Sequence, residues 1–223
     1  MGERAVEKTY KDLELSGKSQ PGEQGKKSHM NYEFPPQSNR EAEIEAIVSV
    51  LDSVIERRSA YYLSTPMTTG KSSVERRDAA AVDRSVPEPL REHRRRTTYR
   101  NHSYVRRLVH RLRRSLASPV INPMAITDLP GWTQSDYRVL SAHVIERYVH
   151  TVIFVDDWQY SLGCSYEFLV AQQTKAKTVT HNLEEVSVAQ GIRLIRGVVN
   201  ELKRMGNYTS FLEAVTHELE RFA

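Results

Sequence analysis

An α/β fold, a parallel sheet flanked by helices, is predicted by three features of this 223-residue sequence. After residue 39, short β-like apolar runs alternate with segments of helical periodicity, the pattern of strand-helix-strand units. The length suits one α/β domain with appendages and allows a sizeable core. A single cysteine, Cys164, leaves no internal disulfide and no Cys-based zinc framework to organise a different kind of fold.

The elements follow in order. Residues 1–38 are polar, with "GKSQPGEQGKKS" and "FPPQSN" and almost no aliphatics, and predict a disordered tail. From Asn39, a candidate N-cap, Ile44, Ile47, Val48, Leu51, Val54 and Ile55 recur on one face of a helix. "AYYLS" (60–64) reads as the first strand. A long irregular insertion, about 71–98, separates it from a helix over Ser103–Leu116 whose apolar face is Val105, Leu108, Val109, Leu112 and Leu116. "PVINPMAI" is the second strand, "TQSDYRVLSAHVIERYVH" a helix, "TVIFVDD" the third strand, "SYEFLVAQQTKA" a helix and "KTVTH" the fourth strand. Two closing helices, around Leu183–Met205 and Tyr208–Phe222, have aliphatics enough to cover a sheet face or a partner subunit. The whole is a Rossmann-like (flavodoxin-like) parallel sheet with extra N- and C-terminal helices, residues 39–223 forming one domain.

Composition narrows the setting. The N-terminus lacks the apolar core of a signal peptide, and "TVIFV" is far too short to span a bilayer, so a cytoplasmic protein with no membrane partner is expected. Formal net charge is +4, yet Arg91 to Arg114 holds ten arginines against one acid, Glu92. The arginines of residues 103–116 fall on the face opposite the apolar one, and no aromatic platform interleaves them. The run reads as a solvated face, and nucleic acid is not expected as a partner.

In a doubly wound sheet, ligands bind at the carboxyl ends of the strands, so the loops after Ser64, Asp157 and His181 and the segment after "PMAI" are candidates. The first, "STPMTTGKSS", ends like a phosphate-binding P-loop, and "VIFVDD" could supply a magnesium-holding Asp156 or Asp157. Thr65 nonetheless stands where that motif needs Gly, and Lys71 leads toward Pro87 and Pro89 rather than into a helix. In the loop after the third strand, Gly163 permits close approach to the backbone, Ser161 offers a hydroxyl to an anion, and a helix N-terminus adds N–H groups. Glu167 projects toward the same pocket; taken alone, it also fits a first-turn acid complementing the helix dipole.

Together, "YLSTPMTTG" and "WQYSLGCSYEFLVA" resemble two motifs of the nucleoside 2-deoxyribosyltransferase superfamily, including its relatives that hydrolyse nucleoside 5′-monophosphates. The first resembles Tyr-Leu-Ala-Gly-Pro-Met-Thr-Gly. The second is similar to Trp-x-x-Ser-x-Gly-x-x-x-Glu-x-x-x-Ala, with Trp158, Ser161, Gly163, Glu167 and Ala171 in register. The likeness covers residues 60–70 and 119–181. It implies that Glu167 attacks C1′ of the sugar as a retaining glycosidase does, and that Tyr62 holds the carboxylate. Ser161, where transferases of free nucleosides carry an acid, implies a phosphate site. Ser64, Thr65, Pro66, Met67, Thr68, Thr69, Gly70, Gly163, Asp157 and Trp158 would line the pocket.

The sequence departs from that superfamily on the helix before the third strand. Counting back from Glu167 at the family spacing gives His143 in place of an Asp. His143, with Asp136 seven residues earlier on the same helical face, could serve as general acid, or it is a packing histidine and the acid is lost. The resemblance implies a nucleotide substrate, no cofactor or metal, and a homodimer or higher oligomer. A non-catalytic nucleotide-binding domain and a degenerate P-loop phosphotransferase are the alternatives.

Overall fold

The computed structural model describes residues 38–66, 103–126 and 129–223. The expected tail, apart from Ser38, the insertion at about 71–98, and Met67, Thr68, Thr69 and Gly70 lie outside them. The elements are α1 (Ser38–Asp52), β1 (Ala60–Ser64), α2 (103–115), β2 (Val120–Ile121), α3 (Gln134–Tyr148), β3 (Val149–Phe154), α4 (Leu162–Gln173), β4 (Lys177–Thr180), α5 (Val188–Arg204) and α6 (Ser210–Leu219). The four strands are parallel in the order β2-β1-β3-β4. This is an α/β, Rossmann-like sheet flanked by six helices. The chain leaves β1 toward β2 on one side and returns to β3 on the other, so the topological switch point lies between β1 and β3.

Alternation along the strands divides the core in two. Leu63, Ile153, Val155 and Val179 face α2, whose Val105, Leu108, Val109 and Leu112 fill that side. Tyr62, Val152 and Phe154 face the other way, into a larger core built by α1, α3, α4, α5 and α6. Tyr62 pairs in register with Val152, and Ser64 with Phe154. Two polar side chains, Tyr62 and Ser64, buried at the end of a central strand, therefore point at the layer that holds α4.

Helix α4 is buried on nearly every side, from Cys164 to Ala171. A helix apolar all round belongs to a core, and its polar members need a reason to be there. Trp158 and Phe154 brace it: Trp158 stacks on Phe168 with ring centroids 4.9 Å apart and meets Phe154 at 4.7 Å.

Several boundaries differ from the sequence reading, each for a local reason. Helix α1 stops at Asp52, where the Ser53 hydroxyl donates to the Val50 carbonyl and Arg58 takes a left-handed φ of 57°. The second strand shrinks to two residues because Asn122 caps a short 3₁₀ turn that opens on Pro123, which has no N–H for a ladder. Strand β3 starts two residues early, at Val149, and α4 begins at Leu162 rather than Ser165 because Ser161 caps it, its hydroxyl accepting from Cys164 N–H at 3.4 Å. Helix α5 starts only at Val188, capped by Ser187.

Candidate functional site

The carboxyl ends of β1 and β3 and the buried flank of α4 bring three sequence-predicted residues together. Glu167 Oε1 lies 2.7 Å from the Tyr62 hydroxyl, and Glu167 Oε2 accepts from the Ser64 hydroxyl at 2.6 Å. Glu167 is 8% exposed, Ser64 fully enclosed, and no cation among the described residues pairs with the carboxylate. Burial pushes the Glu167 carboxyl above the usual range, while the bonds from Ser64 and Tyr62, and the nearby Ser141 hydroxyl, pull it back. Burial, and then the neighbouring Glu167 charge, raise the Tyr62 phenol well above its ordinary value, so it remains a donor. Because α4 begins at Leu162, Glu167 sits in its second turn. A helix-dipole role, confined to the first turn, does not account for it.

A fourth member came from no sequence motif. Ser141 on α3 lies 2.9 Å from the Tyr62 hydroxyl. A phenol has one hydrogen to give. The closer, anionic Glu167 oxygen takes it, which leaves the Ser141 hydroxyl to donate to the phenolic oxygen. The result is a chain of donors, Ser141 to Tyr62 to Glu167, with Ser64 closing the other carboxylate oxygen. The signal was present in the helix period: Leu140, Val144, Ile145 and Tyr148 are buried on α3, and Ser141 is a polar residue inside that apolar stripe.

The remaining candidates are placed as follows. His143 lies two residues, about 200° of helix turn, from Ser141. It is half-buried and joins no hydrogen bond to the cluster. Asp136 is occupied at the start of α3, where its carboxylate accepts from Thr133 N–H at 2.6 Å and from the Thr133 hydroxyl at 2.8 Å in a capping box, with Arg40 at 3.7 Å. Trp158 packs inward against Phe154 and Phe168, a brace behind α4. Asp157 is exposed at a left-handed turn (φ 62°), and neighbouring Asp156 meets His181 at 3.3 Å. Thr65 is buried and its hydroxyl finds no hydrogen-bond partner among the described residues, beside Ser64 in the chain. Pro66 follows it, half-buried.

Ser161 and Gly163 open α4 at the same edge. A Cβ on Gly163 would reach only ordinary contact with Ser161 Oγ, 3.8 Å away, so the turn tolerates a side chain in the form described. Cys164 is enclosed among these groups, and burial first, then the Glu167 charge, push its thiol up to about 12. A thiol so weakly acidic is no nucleophile at neutral pH. Among the described residues no group of three or more His, Cys, Asp or Glu is placed to hold a metal ion, and no helix is long and apolar enough to cross a membrane.

The arrangement is a buried carboxylate at a topological switch point, oriented by neutral O–H donors and without a counter-cation among the described residues. Such a group can attack an electron-poor carbon or exchange a proton. No protein-family model, curated protein or solved structure matches the chain.

Proposed function

We propose that this protein cleaves the N-glycosidic bond of a nucleoside or deoxynucleoside 5′-monophosphate, with Glu167 as nucleophile. The observation that carries the reading is the Glu167 carboxylate itself, buried without a cation among the described residues and aimed by Tyr62 and Ser64. Desolvation of a carboxylate is costly and a core has no use for it, whereas a nucleophile gains from poor solvation and fixed orientation. The motif resemblance around Tyr62, Ser161, Gly163 and Glu167 supports the same chemistry.

In this reaction a Glu167 oxygen bonds to C1′ while the C1′–N bond breaks, its electron pair leaving with the base, which takes up a proton. The base's proton comes from solvent; water, which returns a proton to solvent, or a second base in a transfer, then attacks C1′. The ester C–O bond breaks and returns the carboxylate. Tyr62 and Ser64 keep their hydrogens throughout and hold the carboxylate in line. The phosphate is assigned to the start of α4, where Ser161 and the helix N–H groups stand, with the Thr65 hydroxyl at the end of β1 as a further candidate donor. A homodimer or higher oligomer and a cytoplasmic setting, in which the single buried thiol stays reduced, complete the reading.

A second reading, a nucleotide-binding domain without turnover, is favoured by one observation: no acidic side chain or imidazole among the described residues joins the Tyr62–Glu167 cluster to protonate a leaving base. Incubation with a panel of ribo- and deoxyribonucleoside monophosphates, followed by detection of free base, separates the two. Base release supports the glycosidase. Saturable binding of a monophosphate with no base released would establish the binding domain instead.

A further inference from the structure

The exposed face of α2 carries a charge pattern that the Glu167 site does not use. At about 100° per residue, Arg106, Arg107, His110, Arg111, Arg113 and Arg114 occupy an arc of roughly 160° opposite the apolar stripe. All six are exposed, and Val105, Leu108, Val109 and Leu112 on the other side are committed to the core. Residues 103–120 contain no Asp or Glu. Arg113 donates to the Val120 carbonyl at 3.1 Å, and Arg106, Arg107, Arg111 and Arg114 form no ion pair with any described residue. Arginines at spacings of three, four and seven repel one another and weaken the helix that bears them. A face that only needs to be wetted mixes its signs.

Against the sequence expectation of a merely solvated face with no nucleic-acid partner, we propose that this face of α2 docks the phosphodiester backbone of a nucleic-acid duplex. From Arg106 to Arg114 the cationic row runs about 12 Å, and a duplex presents one phosphate charge per about 1.7 Å of axis, so the row can meet several phosphates at once. Guanidinium groups suit this better than ammonium groups because their planar fork engages phosphate oxygens in pairs. Tyr104, at the helix start, is the one aromatic on the exposed side, so no stacking platform for unpaired bases lies along the row. A membrane surface fits less well. The apolar residues that an interfacial helix would insert are those already buried against the sheet.

The inference stands apart from the chemistry at Glu167. Its test uses the full chain with labelled 20-base-pair DNA and RNA duplexes, and with phosphatidylserine vesicles, followed by anisotropy and co-sedimentation. Engagement of about four phosphates predicts that affinity for a duplex falls about 10²-fold between 50 and 200 mM salt. The triple variant Arg107→Gln, Arg111→Gln, Arg114→Gln, folded by circular dichroism, should flatten that salt slope by about 3. The DNA and RNA arms identify which duplex is preferred, and binding of either supports the proposal. It is overturned if neither duplex binds at 50 mM salt, if the triple variant binds as tightly as the native chain, or if vesicles bind and duplexes do not.

Discussion

At the residue scale, Glu167 is an acid whose folded-state pKa is raised, chiefly by burial. Between the unfolded and folded values the native state holds a proton that the unfolded chain has released. Its effect on stability is therefore most favourable below the unfolded pKa and is lost as pH rises through the folded one. Glu167→Gln removes that penalty while keeping the shape. At pH 7 the variant should be at least as stable as the native protein and up to ~1 kcal/mol more so, a gain of about 2–4 °C in a chain of this size, and the difference should vanish near pH 4. Thermal melts at the two pH values check this. A destabilised variant at pH 7 would mean that the charge is structurally favourable.

Ser141 belongs to the same scale. Its hydroxyl, which donates to Tyr62, lowers the Glu167 pKa, so Ser141→Ala should move the acid limb of the pH–rate profile upward and slow base release more at pH 6 than at pH 8. Uniform loss at all pH values would instead assign Ser141 a packing role. Of the four clustered side chains, Tyr62 and Glu167 were legible as motif letters, and Ser64 as a pocket residue standing where the motif has Ala. Ser141 was not, because counting residues back from Glu167 ignores which way a helix faces. The phase of the α3 stripe selects Ser141 and turns His143 aside.

At the element scale, α4 is held by its cap and by the rings behind it. Ser161 has two assigned tasks that a pair of substitutions can separate. Ser161→Ala should cost about 1 kcal/mol by losing the cap. Ser161→Asp keeps a good cap and adds a charge, so stability should hold while affinity for a nucleoside monophosphate falls about tenfold or more relative to the free nucleoside. Equal loss of both ligands, measured by calorimetry, would remove the phosphate from this edge. Behind α4, a Cβ on Gly191 would fall 2.3 Å from the Phe168 ring, which Trp158 and Phe154 hold in place. Gly191→Ala should therefore cost ~1–3 kcal/mol by overpacking, whereas Gly197→Ala, with open space around it, should be neutral or stabilising by up to about 1 kcal/mol. Urea midpoints for the two variants decide it. The same scale explains which helix ends the sequence disclosed. Hydrophobic period located every helix of the described residues, but the starts of α4 and α5 are set by Ser161 and Ser187, caps that lie outside the apolar stripe.

At the scale of the whole molecule, the order β2-β1-β3-β4 sets the polar end of β1 against the flank of α4 at the carboxyl edge of the sheet. Alternation of apolar runs was enough to read the parallel sheet, because buried parallel strands need helices on both faces. It did not disclose that α2 alone among the described helices covers one face while five pack on the other, since that partition follows from strand order. Nor did it disclose the inward turn of Trp158, which the motif placed at the pocket and which packing with Phe154 and Phe168 places behind it. The central claim is that this site breaks a C1′–N bond through Glu167. Its most direct measurement is free base released from AMP, CMP and dCMP by the native protein and by Glu167→Gln, each assayed alongside monophosphate binding. The account predicts release by the native protein from at least one of the three, a loss of about 10³-fold or more in the variant, and binding of that monophosphate within a few-fold in both. Undiminished release by Glu167→Gln, or no release by the native protein from any of the three, would contradict it.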